Sequence, residues 1–291
     1  MLEGTPLPSA AKIRPRRSVL YAPASNARAV EKARSLPCDV VILDLEDAVG
    51  PDAKDEARAA AVRAIGDGGF GDRELVVRVN GLDTEWGSAD LAAIAHAGPA
   101  AVLAPKIRSA ADVAAYAAAG APLWLMIETC AGVLALDALG RASAQHGVTA
   151  WVLGVNDLAA EMGARAGRTA LAPVLTLAVI AARANGLAIL DAVFNDIADP
   201  GGLASECSQG RDLGFDGKTV IHPTQIAAAN AAFSPDEAEI IWARTVVKAF
   251  DSPENAGKGV LKVDGRMVER LHRDAALRVV ALSEAISAKD G

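Results

Sequence analysis

An α/β chain closed into a (β/α)8 TIM barrel, with a C-terminal helical extension, is the fold this sequence implies. Short aliphatic or β-branched runs recur eight times at near-regular spacing, each followed by an alanine-rich stretch with charges at helical intervals. The runs are apolar on both faces, as parallel strands are when helices cover the sheet. Polar residues collect where the runs end, and in a barrel that face carries the chemistry.

The eight strands are expected over residues 18–22, 40–46, 75–80, 101–107, 123–129, 150–156, 187–194 and 217–222, with helices such as 52–65, 109–119 and 173–185 between them. Eight units in about 220 residues match the count and length of a closed barrel. A doubly wound open sheet is the alternative, but its phosphate-binding signature is missing. The run from Gly66 to Gly71 spells GxGxxG, yet it leaves a helix and enters a strand. A dinucleotide motif needs the reverse order, so that phosphate meets a helix N-terminus, and the run is read as a loop.

Residues 1–15 are expected to form a polar, proline-broken N-terminal tail, residues 16–233 the barrel, and residues 234–291 the extension. In the extension, Ser234 and Pro235 suit the cap and first turn of a helix over 237–250. A polar stretch, 251–259, then leads to a short strand pair at 260–263 and 266–268 and a last helix over 270–288. This segment can pack on its own barrel or reach a neighbouring subunit.

With 291 residues, 52% hydrophobic and 22% charged, the chain can build a large core. A net charge of −7 with no long basic run argues against a nucleic-acid partner. Cys38, Cys130 and Cys207 are widely spaced, which suggests neither disulfides nor a thiolate metal site, and fits a reduced cytoplasmic setting. The N-terminus lacks the apolar core of a signal peptide, and the longest apolar stretch, 171–184, is too short to span a bilayer. A soluble protein with no membrane partner is expected.

The second strand ends in Asp44, Glu46 and Asp47, the third in Arg78 and Asn80, and the fourth in Lys106. The fifth ends in Glu128, the sixth in Asn156 and Asp157; the seventh carries Asp191, and the eighth ends in His222. A polar group pointing into an apolar barrel needs a partner or a ligand. Glu128 and Asp157 make the best metal pair, because an all-oxygen site with only one or two carboxylates suits Mg²⁺, which keeps positions for water and substrate oxygens. The alternative is a structural salt bridge to Arg78 or Lys106. Asp44, Glu46 and Asp47 add negative charge nearby, to hold metal-bound water or to orient the arginine. His222 is read as structural and Cys130 as a packing residue.

The runs Arg17-Ser18-Val19-Leu20-Tyr21-Ala22-Pro23-Ala24-Ser25-Asn26, Leu43-Asp44-Leu45-Glu46-Asp47, Arg78-Val79-Asn80, Pro105-Lys106, Ile127-Glu128-Thr129, Gly154-Val155-Asn156-Asp157 and Gly217-Lys218-Thr219-Val220-Ile221-His222-Pro223 occur in that order. The ordered set resembles the citrate lyase beta-subunit-like family, with the malyl-CoA and citramalyl-CoA lyases, in the metal-dependent HpcH/HpaI aldolase superfamily. The resemblance covers residues 16–285.

It implies an Mg²⁺-dependent carbon–carbon lyase that releases acetyl-CoA or propionyl-CoA and a 2-oxo acid from a β-hydroxyacyl-CoA. Thioester hydrolysis and a non-catalytic beta-type subunit are the alternatives. Glu128 and Asp157 would hold Mg²⁺, and Arg78 would contact the acyl or carbonyl oxygen, with Glu46 and Asp47 as catalytic neighbours. Arg17, Lys54, Ser25 and Asn26 would meet the CoA phosphates. Related lyases place an aspartate in the tail that completes a neighbour's site. Here the matching residue is Glu269, one methylene longer, with Asp264 as a second candidate. A homo-oligomer, trimeric or hexameric, is implied.

Overall fold

Eight runs rich in Val, Ile, Leu and Ala form strands in the computed structural model, which describes residues 13–164 and 167–290. They are β1 (Ser18–Pro23), β2 (Val40–Asp44), β3 (Glu74–Arg78), β4 (Ala101–Ala104), β5 (Leu123–Ile127), β6 (Ala150–Leu153), β7 (Ala188–Asp191) and β8 (Gly217–Val220). Each pairs in parallel with the next, and β8 closes on β1 through Ser18↔Lys218, Val19↔Thr219 and Leu20↔Val220. The described residues form two compact units, Arg16–Ala231 and residues 232–290 with 13–15.

Alternate residues of the strands meet inside the barrel. Val19, Ile42, Val76, Leu103, Trp124, Met126, Val152 and Leu190 belong to one buried cluster, so the interior is a packed core rather than a pore. Their neighbours along the strands, among them Leu20, Val41, Val77, Leu125 and Trp151, are equally buried on the other face. The indole N–H of Trp124 donates to Thr149 Oγ1 at 3.1 Å and that of Trp151 to Ser143 Oγ at 3.0 Å, which satisfies the polar atom of each ring.

The same alternation carries inward-facing positions past the last apolar layer. Asp44 follows Ile42 on β2 and Arg78 follows Val76 on β3, and the strand register sets the two side by side. On β5 the position after Met126 is Glu128, one residue beyond the strand. The β5–β6 register ends with Ile127 beside Leu153, so Glu128 and Gly154 leave the barrel together.

Several boundaries differ from the expectation. The fourth strand stops at Ala104, because Pro105 has no N–H for the ladder and Lys106 turns to φ 54°. The sixth stops at Leu153, and Val155–Glu161 is a short helix, so Asn156 and Asp157 lie in its first turn and not at a strand end. The helix expected from Pro173 begins earlier, as Arg168–Ala184, with the proline inside it. The glycine run 66–71 joins the helix Lys54–Asp67 to β3, as the loop reading requires.

In the C-terminal unit Asp236, not Ser234, caps the helix Glu237–Asp251. Its side chain accepts from Glu239 N–H while the Glu239 carboxylate accepts from Asp236 N–H, a reciprocal capping box. β9 (Val260–Val263) and β10 (Arg266–Glu269) pair antiparallel. Their two-residue turn, Asp264 (φ 47°) and Gly265 (φ 80°), has the backbone that matches strand twist in a tight hairpin. Leu261, Val263 and Val268 bury against Ala243, Val246 and Ala276, the last from the helix Arg270–Asp290, and make a core of their own. Among the described residues no helix is long and apolar enough to cross a membrane.

Candidate metal and active site

Arg78 is the hub of one half of the site. Its Nε and Nη2 donate to the two oxygens of Asp44, both at 2.7 Å. Its Nη1 donates to Asp47 Oδ2 at 3.0 Å and lies 2.8 Å from Glu46 Oε2. The guanidinium also sits over the Tyr21 ring, 5.1 Å from its centroid, and Nη1 is 3.7 Å from Met126 Sδ. Asp44 further accepts the backbone N–H groups of Glu46 and Ala48, which folds the loop after β2 back over the barrel mouth. Burial alone would raise the Asp44 carboxyl, but the charge and hydrogen bonds of Arg78 hold it below the usual carboxylate range. Glu46 has no such support: burial pushes it up to about 8 despite Arg78, with Glu128 and Asp47 adding to the rise.

Glu128 is the hub of the other half. It is 1% exposed, and its Oε1 accepts the Lys106 backbone N–H at 2.7 Å. Its Oε2 is buried and accepts no hydrogen bond. Lys106 Nζ is 3.8 Å from Glu128 Oε1 and 2.6 Å from Asp157 Oδ2, so the ammonium bridges the two acids. Burial raises the Glu128 carboxyl, with Lys106 opposing. The left-handed backbone of Lys106, which costs an L-residue about 1–2 kcal/mol, brings both its N–H and its ammonium to this pair. Gly154 leaves room for them: a Cβ there would fall 2.5 Å from both Cβ and Oε2 of Glu128.

A buried carboxylate oxygen without a donor is costly, and the other oxygen of the same carboxylate shares an ammonium with Asp157. That donor set fits a hard divalent ion held by Glu128 and Asp157, the lysine ammonium standing where such a charge would be. Among the described residues no three or more His, Cys, Asp or Glu side chains gather as a metal cage. Two carboxylates with open positions are the Mg²⁺ pattern rather than that of a closed structural site. The salt bridge to Lys106 and the metal pair therefore involve the same two acids. A cleft of about 200 Å³ opens at the loops after β6 and β7, with Val155, Asn156, Arg168, Phe194, Asn195 and Glu206 in its lining and neither Glu128 nor Asp157.

Other expected site residues fall elsewhere. Lys54 does not present its charge to solvent: it is buried, and Nζ donates to Leu45 O, Glu46 O and Asn80 Oδ1 at 2.7–2.8 Å. It fixes the β2 loop and is not free to meet a phosphate. Arg17 precedes β1 and is therefore at the opposite end of the barrel, buried against Asp39 with Nε 2.8 Å from Oδ2. A phosphate contact by either is corrected on these grounds. Ser25 and Asn26 do lie at the chemical end, exposed after β1, where the Asn26 side chain caps the helix Ala27–Ala33 by accepting from Ala29 N–H at 3.1 Å.

Asp191 faces away from the barrel interior. Arg168 clamps it with two bonds of 2.9 Å, and the fully buried Lys218 reaches Asp191, Ala192 O and Glu206. This is a structural cluster under the helices. His222 is structural too: its ring meets Thr224 and caps the short turn Pro223–Gln225. Glu269 ends β10, exposed, with its backbone N–H donating to His272 Nδ1 at 2.9 Å.

Nothing in the sequence marks Gly154 as a gap beside Glu128. Asp44 is legible as an acid that could orient the arginine, but which of the three acids does so depends on register. The Pro-Lys dipeptide gives no sign of a left-handed lysine.

A family model described as HpcH/HpaI aldolase/citrate lyase matches residues 17–223. The chain is 49% identical over 278 residues to a (3S)-malyl-CoA thioesterase of Cereibacter sphaeroides, covering 94% of this chain and 96% of that protein. It is 31% identical over 297 residues to the mitochondrial citramalyl-CoA lyase of Homo sapiens, covering 94% and 87%. Among solved structures, protein CitE of Mycobacterium tuberculosis in complex with magnesium, acetoacetate and coenzyme A superposes with a TM-score of 0.74 at 30% identity, over 90% of this chain and 97% of that one. With the barrel, the strand-end acids and the match along most of its length, the chain belongs to the HpcH/HpaI aldolase/citrate lyase family.

Proposed function

We propose that the protein hydrolyses the thioester of a β-hydroxyacyl-CoA of the malyl-CoA type, with Mg²⁺ held by Glu128 and Asp157. The observation that carries this reading is the buried Glu128 carboxylate, which shares the Lys106 ammonium with Asp157 through Oε1 and keeps Oε2 without a donor, in a chain nearly half identical to malyl-CoA thioesterases over almost its full length. When bound, the ion supplies electrophilic polarisation of substrate oxygens.

The chain's own groups supply the rest. Arg78 Nη1 is the guanidinium nitrogen nearest the opening, covered by Asp47, whose side chain is 60% exposed. A substrate oxygen that displaces Asp47 gains a charged donor already fixed by Asp44. Glu46, a buried carboxyl 2.8 Å from Arg78 Nη1, carries the proton beside it. Water adds its oxygen to the thioester carbon, the C–S bond breaks, and Glu46 relays the water proton to the departing sulfur. The products are the hydroxy acid and free CoA. Ser25 and Asn26, exposed beyond β1, supply polar groups for the CoA end of the substrate.

Carbon–carbon cleavage is the second reading, favoured by the citramalyl-CoA lyase relative and by an exposed tail carboxyl at Glu269. In that reading Glu269 reaches the site of a neighbouring subunit in a trimer or hexamer, and acetyl-CoA or propionyl-CoA leaves with a 2-oxo acid.

Incubation with (3S)-malyl-CoA and Mg²⁺, followed by mass spectrometry, separates the two. Malate and free CoA in equal amounts, lost in Glu128→Ala, are expected. Acetyl-CoA with glyoxylate as the sole products would assign the lyase instead.

A further inference from the structure

Lys106 touches both members of the candidate metal pair. Its backbone N–H holds Glu128 Oε1 at 2.7 Å, and its ammonium lies 2.6 Å from Asp157 Oδ2 and 3.8 Å from Glu128 Oε1. The two contacts come from one residue with a left-handed backbone, at φ 54°. Such a conformation persists only where its surroundings impose it. The monocation serves the pair incompletely, since Glu128 Oε2 keeps no partner. A dication between the same carboxylates would satisfy that oxygen, but it cannot share Asp157 with an ammonium at 2.6 Å without strong repulsion.

We propose that Lys106 is a tethered cation that fills the Glu128–Asp157 site in the metal-free protein, is displaced when Mg²⁺ enters, and thereby sets the affinity of the site for the ion. This rests on the reading of that pair as Mg²⁺ ligands. The side chain is 27% exposed, so the ammonium has a path to solvent by rotation of its own stem. The backbone N–H can remain on Glu128 while it does so. In the metal-free state the lysine keeps two neighbouring carboxylates from facing each other bare. In the loaded state it is released toward the barrel mouth. The competition is intramolecular, so dilution does not relieve it.

The test is Mn²⁺ binding by the full chain, read from the free-ion signal in electron paramagnetic resonance, for the wild type, Lys106→Met and Glu128→Ala. If the ammonium occupies the site about nine-tenths of the time, its removal tightens apparent Mn²⁺ affinity about tenfold. In EDTA, Lys106→Met is also expected to melt below the wild type, with the difference closing at saturating Mn²⁺. Equal or weaker Mn²⁺ binding by Lys106→Met overturns the proposal alone. Absence of binding that depends on Glu128, in both proteins, overturns the metal-site reading and the proposal with it.

Should Lys106→Met fail to fold, the wild type decides. Acetic anhydride labelling of Lys106, mapped by peptide mass, is expected to rise several-fold on adding Mg²⁺ as the ammonium is freed. Labelling unchanged by the metal overturns the proposal.

Discussion

Arg78 and Asp44 face each other across adjacent strands as a two-pronged ion pair, both N–H···O contacts at 2.7 Å and both residues buried. The pair fixes the guanidinium before any substrate arrives, and it also anchors the backbone of Glu46 and Ala48. Removing Arg78 strands the buried Asp44 charge, whereas removing Asp44 still leaves Arg78 with Glu46 and Asp47. Arg78→Met is therefore expected to lower unfolding free energy by about 3–5 kcal/mol, measured by urea denaturation. A loss below about 1 kcal/mol would mean the pair is solvated as a surface bridge is.

Gly154 is needed for space and not for backbone freedom. A methyl at that position would press on Cβ of Glu128 and on its unpartnered Oε2. Gly154→Ala is expected to keep the barrel, by circular dichroism, and to weaken Mn²⁺ binding by about 10- to 100-fold, as loss of a supporting contact around a metal ligand does. Unchanged binding in calorimetry would show that Glu128 is not held in place by this gap.

Glu46 makes stability depend on pH in a predictable direction. Its folded pKa is raised from an ordinary 4.5 to about 8, so the folded state binds this proton more tightly than the unfolded chain. The stabilisation is complete below about 4.5 and is lost as pH rises through about 8. Glu46→Gln mimics the protonated form. In EDTA its melting temperature should fall less than that of the wild type between these two pH values, as followed by scanning calorimetry. Parallel curves would place the Glu46 charge in water.

Glu269 separates its two roles by what it leaves untouched. In the lyase reading, Glu269→Ala is expected to lower release of acetyl-CoA or propionyl-CoA by about 100-fold or more, with Mn²⁺ binding unchanged. Full activity would reduce Glu269 to the end of its hairpin.

The barrel was legible because its evidence is periodic. Eight apolar runs, each with a helix after it, leave little freedom, and all eight appear as strands in order. The acids at the mouth were legible as residues, less so as partners. Asp191 sits one residue from inward-facing Leu190 and so points out to Arg168 and Lys218; strand parity, which sequence leaves unstated in a run buried on both faces, decides this. Arg17 and Lys54 look like free charges in a linear reading, yet one precedes its strand and the other is enclosed by three oxygens. Asp157 reads as a strand-end residue in the sequence and lies instead in a helical turn. Lys106 was visible as a competing partner, but its backbone conformation was not.

The most direct test is to locate the ion. Crystals of the protein soaked in Mn²⁺, with anomalous differences recorded at the manganese edge, should show a single strong peak bonded to Glu128 Oε2 and Asp157, with the Lys106 ammonium moved away from both. A peak elsewhere, or Lys106 still bridging the two acids at saturating Mn²⁺, would contradict the assignment of these two carboxylates as the metal site.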